Sequence, residues 1–254
     1  MNTSSSILNS RVSSIALLGF ALTTSVWAQP STNSQATNPP ATAQAVAEAK
    51  AKHEVALVYP YEMIIQGKPG WAEASFVIGY AGKPLFTNPS GASDPAFAKA
   101  AVAMIEANEF APVKKDKRAT MALSSQRINF PGEAALDPEA KRILTELRKA
   151  QPSLCSQGEL DERPKAIRQS APVYPRAMKD DGLTGQAEIE FVVTANGKVL
   201  FPRIISATQE DFGWAAAAAV AQWRYEPPTK NGQKVDARIT VPVLFDARRL
   251  AASD

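Results

Sequence analysis

The 254-residue chain carries one cysteine, Cys155, one histidine, His53, and few aromatics, at 7%. A single cysteine excludes an internal disulfide. Beyond His53, read as a solvated residue, no second histidine exists to partner a serine or Cys155, and there is no Cys/His set at metal-ligand spacing. No catalytic, cofactor-binding or metal-binding residue is assigned, no cofactor or small-molecule substrate is expected, and the chain reads as a non-enzyme. The carboxylates Asp180-Asp181, Glu188 and Glu190 are read as turn and outer-face residues. The glycines of "GLTG" and "GKPG" punctuate turns and fit no phosphate-cradling loop. Strong charge of one sign is also missing: 28 Lys/Arg against 25 Asp/Glu leave +3. The densest basic cluster, "KKDKR" (114–118), reads as a solvated loop, so no nucleic-acid partner is expected.

An apolar run of the roughly 20 residues that span a bilayer is missing too. The N-terminal segment has Arg11, then a shorter apolar stretch from Val12 to about Val26, diluted with Ser and Thr. It ends in Val26-Trp27-Ala28, small residues at the positions a signal peptidase reads. Residues 1–28 are therefore expected to be a cleaved signal peptide, with an uncleaved anchor as the competing reading. Residues 29–58 are polar and Pro-containing, then alanine-rich, and are expected to be a disordered or helical leader. His53 is read as a solvated residue within it.

What is there is a sentence written twice. "LVYPYEMIIQGKPGWAEASFVIGYAGKP" is answered 115 residues later by "APVYPRAMKDDGLTGQAEIEFVVTANGKV". The shift puts Tyr59-Pro60 on Tyr174-Pro175, Gly67 and Gly70 on Gly182 and Gly185, and Gly82-Lys83 on Gly197-Lys198. Without a gap from 59 to 130, roughly 22 of about 72 pairs are identical. That is the signature of tandem copies. The expected layout is one domain at 59–131, a linker at 132–168 and a second domain at 169–247. Within the linker, "DPEAKRILTELRKA" (137–150) suits a helix: Asp137 caps it, Pro138 takes its first position, and Ile143, Leu144 and Leu147 make a short apolar face. Cys155 is read as an inert thiol of the linker.

The second copy predicts the elements. "PRAMKDDG" is a short helix ending at Gly182. In "QAEIEFVVT" alternate residues Ala187, Ile189, Phe191 and Val193 share one face of a strand. Asn196-Gly197 signals a hairpin into a strand from Val199 to Ser206. "DFGWAAAAAVAQWRY" is a helix with Phe212, Ala216, Ala219, Val220 and Trp223 on one face, and Pro227-Pro228 stops it. Trp214 and Trp223 are assigned to a core or a domain interface, with partner binding as the alternative for Trp214. "KVDARITVPVLF" alternates strictly as the last strand. The fold class is α+β: two small domains, each a three-stranded antiparallel sheet with helices in the order α-β-β-α-β. In the first copy Thr120, Ser124 and Gln126 stand on the face that is apolar in the second, and Asn108 stands where Trp223 does. Pro242 cannot donate to a ladder, so the last strand belongs at a sheet edge, where it is either a hazard or a docking site.

"PVYPRAMKDDGLTGQAEIEFVVTANGKVLF", followed by Trp223-Arg224-Tyr225-Glu226-Pro227 and "VPVLF", resembles the C-terminal domain of the TonB family over about 172–245. The resemblance implies binding rather than chemistry. In that family the domain receives an extended peptide of an outer-membrane transporter beside its last strand, with the Tyr-Pro segment helping to cradle it. Carried over, the contact residues are Val173, Tyr174 and Pro175 with Ile239, Val241, Pro242, Val243 and Phe245. One departure is Ala171, where relatives often have Gln. One of the N–H groups of Val241 and Val243 is expected to face outward to a guest strand.

Three functions follow. One is a periplasmic tandem binding protein that docks a peptide strand of an envelope protein, such as an outer-membrane TonB-dependent transporter. Another is a TonB-type energy transducer for outer-membrane transport that keeps its N-terminal anchor at the inner membrane. The last is a structural dimer or intramolecular pseudo-dimer whose edges pair with each other. The linker helix, with Ile143, Leu144 and Leu147, is the reserve docking stripe.

Overall fold

Two glycine-stopped turns of helix start the two halves of the fold. The computed structural model describes residues 50–52 and 55–246. The expected signal peptide, its cleavage site, His53 and the leader as far as residue 49 lie outside these residues. In chain order the first half runs α1 (Tyr61–Ile65), β1 (Gly70–Ile78), β2 (Pro84–Ala92), α2 (Pro95–Glu106), β3 (Val113–Lys115), β4 (Arg118–Thr120) and β5 (Ala122–Phe130). The joint contains α3 (Pro138–Leu147), β6 (Cys155–Ser156) and β7 (Ala166–Arg168). The second half runs α4 (Arg176–Asp180), β8 (Gly185–Val193), β9 (Val199–Ala207), α5 (Glu210–Val220), β10 (Arg224–Tyr225), β11 (Thr229–Lys230), β12 (Gln233–Lys234) and β13 (Ala237–Phe245). The fold is α+β, with antiparallel sheets covered by helices.

The first sheet has the order β2-β1-β5 and the second β6-β13-β8-β9. The second therefore has four strands rather than the three expected. Its extra strand is the linker itself: Cys155 and Ser156 pair in parallel with Ala237 and Arg238. Each long helix packs on one face of its own sheet. Asp94 caps α2 by accepting from Ala96 N at 2.9 Å, with Pro95 next. No side chain caps α5, but Glu210 and Asp211 in its first turn complement the positive end of its dipole. That helix ends at Val220, earlier than its sequence pattern suggests. Trp223 lies past its end, yet is buried, with its indole N–H donating to Ser170 O at 2.8 Å.

Close approach explains two glycine positions. At Gly185 a Cβ would sit 2.6 Å from the Phe212 ring, so the helix can lie down on the strand only over a bare backbone. At Gly197, φ is +74° and a Cβ would meet Tyr225 O at 1.9 Å. The Asn196-Gly197 hairpin is thereby pinned under the segment that follows α5, and Tyr225 N donates to Gly197 O at 3.0 Å.

The residues described all fall in one compact unit, Ala43–Asp254. One cluster of buried side chains runs across both halves, including Val58, Ile64 and Phe97 from the first, Ile143 and Leu144 from α3, and Val192, Ala217 and Ala218 from the second. Two expectations fall here. Ile143 and Leu144 are fully buried, so α3 offers no free docking stripe. Its apolar face is already used, and Arg142–Asp236 (2.7 Å), Asn196–Glu139 (2.9 Å) and the Lys198–Asp137 ion pair tie it to the second half. Of the leader, residues 50–52 and 55–58 are described, and none of these is helical. Ala51 bridges Phe110 in extended form, and Val55 and Val58 are buried. Nor do the two sheets share a strand pair; the halves meet through α2 against α5 and through the common core. Edges paired with each other, as in a pseudo-dimer, are not what joins them.

A candidate docking edge on the last strand

Everything at this edge follows from the parity of one proline. β13 pairs with β8 without interruption from Ala237↔Val193 to Phe245↔Gly185. In an antiparallel ladder each residue turns both its N–H and its C=O to the same side, and successive residues alternate. Pro242 has no N–H, so an unbroken ladder requires its position to face away from β8. Thr240 and Leu244 then also face outward, whereas Val241 and Val243 both bond β8. The expectation that one of Val241 and Val243 points outward is therefore wrong, because residues two apart share a direction. Asp236 has the parity of Pro242, and its carbonyl does accept from Cys155 N across the outer edge at 3.0 Å.

That contact marks where the edge is closed. β6 covers Ala237 and Arg238 and then turns away at Gln157–Glu159. From Thr240 to Phe245 no strand among the described residues pairs with the outer side of β13. The exposed main chain comprises the N–H and C=O of Thr240, the C=O of Pro242, and the N–H and C=O of Leu244. A guest strand could take all of these as hydrogen-bond partners. Leu244 is 70% exposed and Pro242 is exposed beside it, whereas Ile239, Val243 and Phe245 bury their side chains in the core. The carried-over residues on this strand are thus of two kinds. Ile239, Val243 and Phe245 hold the strand in place, and Pro242 faces outward. Val241 is half-buried. Thr240 and Leu244 lie within the carried-over span Ile239–Phe245 but were not singled out in it, although Pro242 alone would have identified their parity.

The Tyr-Pro segment divides as well. The ring of Tyr174 stands edge-on to Phe212 at 5.4 Å and to Phe245 at 5.6 Å, at the end of the strand. Its hydroxyl is buried without a partner, and burial, with the nearby Asp246 carboxylate second, pushes its pKa up. Tyr59, at the matching place in the first half, donates to Lys68 O at 2.6 Å instead. Val173 and Pro175 point elsewhere. They line a cavity between the halves, together with Trp214. The structure thus joins Tyr174 to the edge strand and separates Val173 and Pro175 from it. The lead-in is held beside the edge domain by the pairing of β7 with β10 and by Arg168 on Gln222 O at 2.9 Å.

Among the described residues no group of three or more His, Cys, Asp or Glu could hold a metal ion. No helix among them is long and apolar enough to cross a membrane.

Comparison with known proteins meets this geometry at the second half. Residues 170–247 match the family model described as the Gram-negative bacterial TonB protein C-terminal. Over 82 residues the chain is 30% identical to Protein TonB of Pseudomonas aeruginosa, covering 32% of this chain and 24% of the relative. Over 75 residues it is 36% identical to Protein TonB of Xanthomonas campestris pv. campestris, covering 29% of this chain and 34% of the relative. The chain thus matches between a quarter and about a third of the length of these two relatives. A solution NMR structure of the Pseudomonas aeruginosa TonB C-terminal domain aligns at 26% identity and a TM-score of 0.31, covering 37% of this chain and 94% of that one.

Proposed function

Since residues 170–247 are a TonB C-terminal domain, we propose that the protein works as a TonB-type energy transducer for outer-membrane transport. In this reading β13 receives a peptide strand from a transporter, and the N-terminal segment is retained as an inner-membrane anchor. The observation that supports it is the outer edge of Thr240–Phe245, with which no strand among the described residues pairs. The partner would be an envelope protein that presents a short extended segment to the periplasm. Binding would rest on main-chain bonds, with no chemistry asked of the domain.

A photo-crosslinking residue placed at Leu244, which is exposed and outward-facing, tests the edge in cells. Capture of an outer-membrane transporter through its periplasm-facing peptide is expected. Capture by the same residue placed at Tyr80, exposed in the first half, with none at Leu244, would move the site off β13.

A second reading keeps the same edge but frees the protein from the membrane. Val26-Trp27-Ala28 supports it as a cleavage signal. The product would be a periplasmic tandem binding protein, and the segment around β1, β2, α2 and β5 would be a diverged second copy of the domain. That proposal has further support in the elements, since α1, β1, β2, α2 and β5 each start 115 residues before a counterpart. Sequencing of the purified protein's N-terminus separates the two readings. Gln29 at the start favours the binding protein, and an intact N-terminus in the membrane fraction favours the transducer.

A further inference from the structure

The cavity between the halves is unrelated to the edge. It has a volume of about 420 Å³, within the range of small-ligand sites. Its walls come from α2, the start of α5, β2 and the Val173–Arg176 segment. The lining is mainly apolar, with Val102, Val173 and the Trp214 ring among it. Four charged side chains reach it: Lys99 and Glu106 from α2, Asp211 from α5, and Arg176. The two cations are engaged. Lys99 pairs with Glu210 at 2.5 Å, and Arg176 pairs with Asp180 at 3.3 Å while its guanidinium lies 4.9 Å from the Phe86 ring centroid. The two carboxylates are paired with no cation among the described residues. Thr87, also in the wall, buries its hydroxyl without a partner.

A mainly apolar cavity with a tryptophan in its wall, a half-buried Glu106 without a cation partner and an exposed Asp211 at its side is complementary to one kind of small molecule. We propose that this cavity is a binding site for a small organic cation, an ammonium group on an apolar body, with Glu106 as the counter-ion and Trp214 as the apolar wall. An alcohol of the same shape would keep the apolar contact but lose the charge-assisted bond. An anion would meet Glu106 and Asp211 as repulsion. The proposal goes beyond the transducer reading and does not depend on it.

Burial, reinforced by Asp211, pushes the Glu106 carboxyl up to about 7. The preference for a cation is therefore expected to grow as pH rises through neutrality, while an alkylammonium stays protonated throughout. Isothermal titration of the whole protein with hexylammonium, 1-hexanol and hexanoate tests this. At pH 8 hexylammonium is expected to bind at least about tenfold more tightly than hexanol, with hexanoate weakest. At pH 5.5 that advantage is expected to shrink, in the wild type and without any mutation. In Glu106→Gln, hexanol binding is expected to persist and the advantage of the cation to disappear at both pH values. Equal binding of amine and alcohol by the wild type at pH 8, an advantage that survives Glu106→Gln, or no binding of either compound would each overturn the proposal.

Discussion

Glu106 is a carboxylate whose charged form its surroundings disfavour. It ends α2 at a wall of apolar side chains, and its carboxyl is held protonated up to about pH 7 by burial first and Asp211 second. The folded state therefore binds a proton that the unfolded chain has already released above the ordinary carboxylate range. Stability from this group is full below the unfolded pKa and is lost as pH rises through about 7. Glu106→Gln removes the titration. The variant is expected to melt at a higher temperature than the wild type at pH 8, with the gap closing by pH 5 in thermal scans at both values. Trp223 and Asn108 make a second contrast at this scale. Trp223 is buried against Phe191 and Tyr225 and donates its N–H to Ser170. Its replacement by Ala is expected to cost about 3–5 kcal/mol in denaturant titration. Asn108 already leaves its Oδ1 buried without a partner, so Asn108→Ala is expected to cost little.

At the scale of elements, β13 tests the docking edge through its alternation. A proline at Thr240 or Leu244 removes an outward N–H and leaves the ladder with β8 whole. Either variant is expected to stay folded by circular dichroism and to lose partner capture. A proline at Val241 or Val243 removes an inward bond and is expected to disrupt the sheet itself. Folded Thr240→Pro and Leu244→Pro variants that capture the partner as the wild type does would remove β13 from the binding site. The strands were legible because their side chains alternate and because Asn196-Gly197 can turn in few ways. The end of α5 was not legible. Trp223 continues the helical spacing of Phe212, Ala216 and Ala219, and the chain leaves the helix there because Tyr225 must reach Gly197 across the hairpin. β6 was equally hidden, since Cys155-Ser156 carries no pattern of its own and becomes a strand only because β13 offers it an edge.

At the scale of the whole molecule, the spacing of 115 residues suggested two domains and a linker, and local patterns could not show how deeply they share a core. α3 looked like a free amphipathic helix because an apolar stripe reads the same whether it is exposed or covered. In the fold its Ile143 and Leu144 are fully buried, in one continuous cluster that also holds Tyr59 and Ile64 of the first half and Val192 of the second. The polar face of the same helix is tied to Asp236, Asn196 and Lys198 of the second half. A cavity made in that position would therefore loosen both halves together instead of freeing a linker. Ile143→Ala is expected to destabilise the protein by about 2–5 kcal/mol, as a large-to-small change at a fully buried site. Calorimetry of the wild type is expected to show a single transition, and in the variant that transition is expected to move as a whole. Native-state hydrogen exchange makes the measurement local: amides of β1 and of β8 are expected to lose protection by equal amounts. Loss confined to α3, with both sheets protected as before, would show that the helix is a dispensable strap and that each half is stable without the other.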